Sequence, residues 1–121
     1  MKIDKVKQGK KNRASGQRFE RKVRADLESK GFIVDRWSNN VFENRLIPAK
    51  SFMGRSRTNG FPDFIAFKKS YIIGVECKIN GYLDKTEKER CKWLLDNEIF
   101  SKILIASRGE KRGQIKYKEF K

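Results

Sequence analysis

Residues 61–79, FPDFIAFKKSYIIGVECKI, hold two apolar runs separated only by Lys68, Lys69 and Ser70. A break that short forces the runs to fold back on one another, so the sequence predicts an antiparallel hairpin with strands from about Asp63 to Phe67 and from about Tyr71 to Ile79. Few features restrict a small chain more. The same strands carry charge where a buried strand should avoid it, at Asp63, Glu76 and Lys78. Side chains alternate across a strand, so Glu76 and Lys78 share one face while Val75 and Cys77 share the other. A hairpin register whose paired numbers sum to an odd value, such as 137 or 139, puts Asp63 on the Glu76 face; an even sum sends it away.

Two carboxylates a few ångströms apart at a sheet edge repel one another unless a cation lies between them. The chain has no His and only Cys77 and Cys91. That excludes Ser-His and Cys-His catalysis, histidine metal sites and the usual zinc spacings, and leaves oxygen as the donor. Mg²⁺ is the natural ion, with Mn²⁺ able to substitute, held by Asp63, Glu76, the backbone carbonyl of Cys77, waters and a substrate phosphate. Such an ion acidifies a bound water and polarises a phosphodiester. Lys78 adds a positive charge beside the attacking water or the developing pentacovalent phosphorus. Singly, each residue has an ordinary explanation: Asp63 as a turn residue after Pro62, Glu76 with Lys78 as a same-face ion pair. Found together in strand context on a basic chain, they point to a site. Cys77 and Cys91 have no thiol-activating neighbour in sequence and read as small core residues.

The rest of the chain supplies a layer around the hairpin. Phe19, Val23 and Leu27 recur at helical spacing in residues 16–30, with Gly31 as a stop. Glu20 sits at the edge of that core-facing stripe, where it offers a further ligand through water. Phe32, Ile33 and Val34 predict a short strand, followed by a long irregular segment through residue 62. Asp84 or Thr86 can cap a second helix, each with a Glu three residues on, and Cys91, Leu94, Leu95 and Ile99 form its apolar stripe. KILIAS, residues 102–107, reads as a buried strand, and IKYKEF, residues 115–120, as an edge strand. The expected class is α/β, a central mixed sheet of about five strands with flanking helices.

Lys and Arg number 30 against 15 Asp and Glu, a formal net charge of +15, which calls for a polyanionic partner. Nucleic acid fits better than a membrane, because the basic N-terminal stretch lacks the apolar face of a membrane-surface helix. With 9 Phe, 3 Tyr and 2 Trp the charge does not signal disorder. Residues 1–14 read as a basic flexible arm and 15–121 as one domain. Lys10, Lys11, Arg13 and Arg18 from the start, with Arg45, Lys50, Arg55 and Arg57 from the long segment, are the candidate phosphate contacts. Two cysteines, no leader-like apolar run and no membrane span favour an intracellular, reducing location.

Pro62-Asp63 in one strand, Glu76-Cys77-Lys78 in the next and a Glu in the preceding helix resemble the PD-(D/E)xK nucleases. Within them the chain looks most like the archaeal and archaeal-virus Holliday junction resolvases. The basic start, GQRFERKVRADLESKGF and the close Asp-to-Glu spacing carry that likeness over about residues 10–120. It implies a restriction-endonuclease-like core in an archaeal or virus-infected cell, with Asp63, Glu76 and Lys78 in the metal and catalytic positions and Glu20 in the helix-borne acidic one. It also implies a Mg²⁺-dependent homodimer that nicks four-way DNA junctions in pairs, and a functional Ser after the first strand. Ser38 follows that strand most closely, with Ser51 and Ser56 as the other choices. The segment here is longer than the family's, which leaves flaps, nicks or plain duplex open as substrates, and a non-catalytic nucleic-acid-binding protein as the rival reading. The second helix with Trp93 is the expected dimer contact.

Overall fold

The computed structural model describes the backbone of residues 5–48, 51–52, 55–56 and 60–121, with side chains for 12–48 and 60–121. Helix α1 (Lys5–Ser29) opens the chain. It starts well before Gly16, so residues 5–14, expected as an arm, are helical. Apolar spacing cannot see those turns because the stretch is dominated by Lys, Gln and Arg, good helix formers that leave no apolar period to read. Phe19, Val23 and Leu27 are buried as the spacing predicts, and Gly31 at φ 92° ends the helix.

Strand β1 (Ile33–Arg36) follows. The segment read as irregular contains β2 (Asn40–Phe42) and β3 (Arg45–Ile47), paired across Glu43 and Asn44, both at positive φ, and then β4 (Ser51–Phe52) and β5 (Arg55–Ser56). Strands of two or three residues are too short for periodicity to reveal. The predicted hairpin is β6 (Phe64–Lys68) and β7 (Tyr71–Cys77). Helix α2 (Lys85–Asp96), β8 (Lys102–Arg108) and β9 (Ile115–Glu119) complete the order.

Five strands form a mixed sheet in the order β1-β6-β7-β8-β9, with β8 interior and β9 at an edge. All neighbours are antiparallel except β7 and β8, which run parallel with α2 as the crossover. Phe19, Val23, Leu27, Val34, Phe64, Ala66, Ile73 and Val75 fill the α1 face; Cys91, Leu94, Phe100, Ile103 and Ile105 fill the α2 face with Val41 and Phe61. The edge strand is tied to α1 where the Tyr117 hydroxyl donates to Asp26 Oδ2 at 2.6 Å and Lys30 meets the same carboxylate at 2.9 Å.

Two glycines fix the approach to the charged residues. A Cβ on Gly60 would lie 2.0 Å from the Trp37 carbonyl oxygen, because residues 37–39 run hard against residues 60–63. A Cβ on Gly74 would lie 2.8 Å from Pro62 Cγ and 3.1 Å from Phe100, so Pro62 rests directly on the β7 backbone. The residue after Pro62 is thereby held at the mouth of the hairpin.

Candidate active site

Phe64 pairs with Val75 and Ile65 with Gly74, a register of odd sum, so Asp63 lies opposite Glu76. The two are locked reciprocally. Asp63 N–H donates to Glu76 Oε1 at 3.1 Å, and Cys77 N–H donates to Asp63 Oδ2 at 2.8 Å. Trp37 N–H holds the Asp63 carbonyl at 3.1 Å from the other side.

Glu76 is 6% exposed. Burial, and next the neighbouring Asp63 charge, push its carboxyl up to about 10. A carboxylate so placed requires either a proton or a cation.

Lys78 Nζ stands 3.9 Å from Glu76 Oε2 and is ion-paired with Glu87 Oε2. Burial by itself would lower the Lys78 ammonium, but the Glu87 and Glu76 carboxylates outweigh it and hold it above its ordinary value. Glu87 also belongs to the α2 cap: its Oε1 accepts from Asp84 N–H at 3.0 Å, and its N–H donates to Asp84 Oδ1 at 2.8 Å. One carboxylate therefore joins the start of α2 to Lys78. The sequence offers Asp84 with Glu87 as one of two capping pairs and gives no sign of the pairing with Lys78, since nothing in the spacing says which way the second Glu87 oxygen points.

Glu20 comes from the α1 layer, whereas Glu76 alternates with Val75 and so faces α2. Its carboxylate is held by Arg36 at 3.2 Å, and Arg36 also lies over the Phe64 ring. Glu20 nevertheless lines a hollow of about 370 Å³ with Phe19, Cys77 and Lys78. The Cys77 thiol is pushed up by burial first and then by Asp63, Glu20 and Glu76, which places all three acids around the end of β7. Nothing in the sequence pattern singles out Arg36 as a partner for Glu20.

Ser38 is exposed, next to Trp37, and makes no hydrogen bond to the acidic pair. Arg13, Arg18 and Arg45 are exposed; Lys10 and Lys11 lie in α1 and Arg55 in β5; Lys50 and Arg57 fall outside the described residues. Cys91 is fully buried in the α2 core, and Cys77 is half-buried; both are free thiols.

The residues at the end of β7 suit a hard cation. Among the described residues no three His, Cys, Asp or Glu side chains converge into a metal cluster. Two carboxylates, one of them buried without a full counter-charge, leave the remaining positions to backbone carbonyl, water and phosphate oxygens. Mg²⁺ accepts that arrangement, being held in phosphoryl chemistry by one or two carboxylates plus substrate.

The architecture has a solved counterpart. The structure of Hjc from Archaeoglobus fulgidus, a Holliday junction resolvase from an archaeal hyperthermophile, matches 85% of this chain and 70% of its own with a TM-score of 0.56 and 19% sequence identity. The chain has the fold of that resolvase. No family model matches the sequence, and no curated protein matches it. In the resolvase fold of this chain, no helix among the described residues is long and apolar enough to cross a membrane.

Proposed function

We propose that the chain is a metal-dependent, structure-selective DNA endonuclease that resolves four-way junctions by paired nicks. The observation that carries this is the hairpin register: it sets Asp63 opposite the buried Glu76, two residues before Lys78, on a resolvase fold. The charge of +15 supplies the affinity for converging phosphate backbones, which select a junction by shape without base contacts.

Asp63, Glu76 and the Cys77 carbonyl would hold Mg²⁺ or Mn²⁺, with Glu20 joining through water when Arg36 releases it. Bound there, the ion supplies Lewis-acid polarisation of the phosphodiester and a more acidic water. The chain's residues do the rest. The reciprocal hydrogen bonds between Asp63 and the Glu76–Cys77 segment fix both carboxylates before substrate arrives. Burial of Glu76 keeps bulk water from competing, and Lys78 sets a positive charge where negative charge builds as the P–O bond breaks. Ser38, packed beside Gly60 just past β1, would offer its hydroxyl to a substrate phosphate.

Residues 15–121 act as one nuclease domain, and residues 1–14 extend its phosphate-binding surface. One such domain reaches one strand, so paired nicks call for a two-fold homodimer working inside a cell. Two short hairpins replace a simple loop after β1, and that feature favours flaps, nicks or plain duplex as a second reading. Labelled four-way junction, linear duplex and single strand, each with Mg²⁺ or EDTA, separate the readings. Junction-selective, EDTA-sensitive nicks are expected. Equal cutting of duplex favours the second reading, and binding without products on any substrate leaves a non-catalytic DNA-binding protein.

A further inference from the structure

A second concave surface lies beside the acidic site, and we infer that it is a phosphate-binding notch for the DNA strand flanking the reacting phosphodiester; the identity of the strand rests on the nuclease reading. The notch is a hollow of about 330 Å³ between α1 and the turn joining β8 to β9. Its walls carry Arg18 and Lys22 from the helix, Arg108 from the end of β8, and Lys111 and Arg112 from the turn, against Glu110. Cations gathered from two elements around one concavity focus positive potential far more than the same charges spread over a convex face. Their geometry suits the phosphodiester backbone: guanidinium forks for paired oxygens and ammonium groups as point charges.

Topology places this notch at the working end of the sheet. β7 and β8 run parallel, with Cys77 beside Ala106, so both strands end on the same side; β9 starts there too, with Ile115 opposite Arg108. Asp63 precedes β6, which runs antiparallel to β7, so it is at that end as well. From β7 to β9 is two strand spacings, about 10 Å, comparable to about three base rises of 3.4 Å along a strand. Phe19 lines both hollows, so the notch and the Lys78 hollow share a wall. A strand whose phosphate meets Asp63 and Glu76 therefore lays a phosphate about three nucleotides along over Arg18, Lys111 and Arg112.

The test compares two triple variants of equal net charge. Arg18→Gln with Lys111→Gln and Arg112→Gln empties the notch. Lys69→Gln with Lys88→Gln and Lys92→Gln removes three exposed cations from the far turn and the α2 layer. Binding of a fluorescent four-way junction and of linear duplex is followed from about 50 to 200 mM salt without metal. The notch triple is expected to reduce the slope of log K against log salt by about 2 to 3, and the control triple by less than 1.

Equal flattening by both triples, or no change in the notch triple, overturns the proposal by showing that charge acts diffusely. Should the triple fail to fold, Arg112→Gln alone must still lower the slope by about 1. A wild type that binds with a notch-dependent slope but cuts nothing removes the nuclease reading and leaves the notch.

Discussion

Glu87 is the residue whose removal separates two roles on one carboxylate. Its Oε1 caps α2 through Asp84 N–H, and its Oε2 pairs with Lys78. Glu87→Gln keeps an oxygen for the cap, since Gln serves a capping box as well as Glu, and loses only the charge facing Lys78. Two unit charges 4 Å apart attract by about 4 kcal/mol at an effective dielectric of 20. Desolvation of a carboxylate whose side chain is 12% exposed takes back much of that, leaving about 1 to 2 kcal/mol. Glu87→Ala loses the cap bond too, about 1 kcal/mol more. Urea unfolding at neutral pH should therefore rank wild type above Glu87→Gln and Glu87→Ala lowest, with unchanged m-values. In a double-mutant cycle with Lys78→Met, Glu87→Gln should show a coupling of about 1 to 2 kcal/mol. Zero coupling would refute the ion pair, and equal loss in the Gln and Ala variants would refute the cap.

Gly74→Ala drives a methyl into Pro62 and Phe100; it should cost about 1 to 3 kcal/mol in urea melts and, by shifting Asp63, reduce Mg²⁺-dependent cleavage more than DNA binding. Tyr117→Phe should cost about 1 kcal/mol, most of it visible above pH 4. The Tyr117 hydroxyl, and after it Lys30, hold Asp26 below its ordinary 3.8, so the stability they add is present above that value and lost as pH falls through the lower folded one. Thermal melts of wild type and variant should converge in acid. Glu76 works in the opposite sense: its folded form keeps a proton to about 10 that the unfolded chain releases near 4.5, so metal-free stability should fall as pH rises between those values. Saturating Mn²⁺ should flatten that fall, and a metal-free protein whose stability rises with pH there would contradict the burial of Glu76.

The hairpin was readable in the sequence from two apolar runs three residues apart, but its register was not: Asp63 could fall on either face, and the odd-sum pairing is a finding of the structure. α2, β8 and β9 followed from periodicity and from Asp84 with Glu87. Two further parts were not. α1 begins at Lys5 in a stretch dominated by Lys, Gln and Arg, whose sequence has no apolar periodicity to mark it. The β2–β3 pair depends on Val41 and Leu46 reaching the α2-side core, tertiary contacts that no local pattern announces. In the site, strand alternation placed Glu76 and Lys78 on one face and the observed register brings Asp63 to join them, but the partners that decide their chemistry come from afar. Arg36 reaches Glu20 and Glu87 reaches Lys78 across different layers, and one sequence carries no trace of such pairings.

Manganese binding followed by electron paramagnetic resonance tests the acidic pair most directly, because it needs neither DNA nor turnover. Wild type at neutral pH should deplete the free Mn²⁺ signal and release protons as Glu76 gives up its hydrogen, while Asp63→Asn and Glu76→Gln, each still folded by circular dichroism, should leave the signal at its protein-free height. Both variants taking up Mn²⁺ as wild type does would contradict the site.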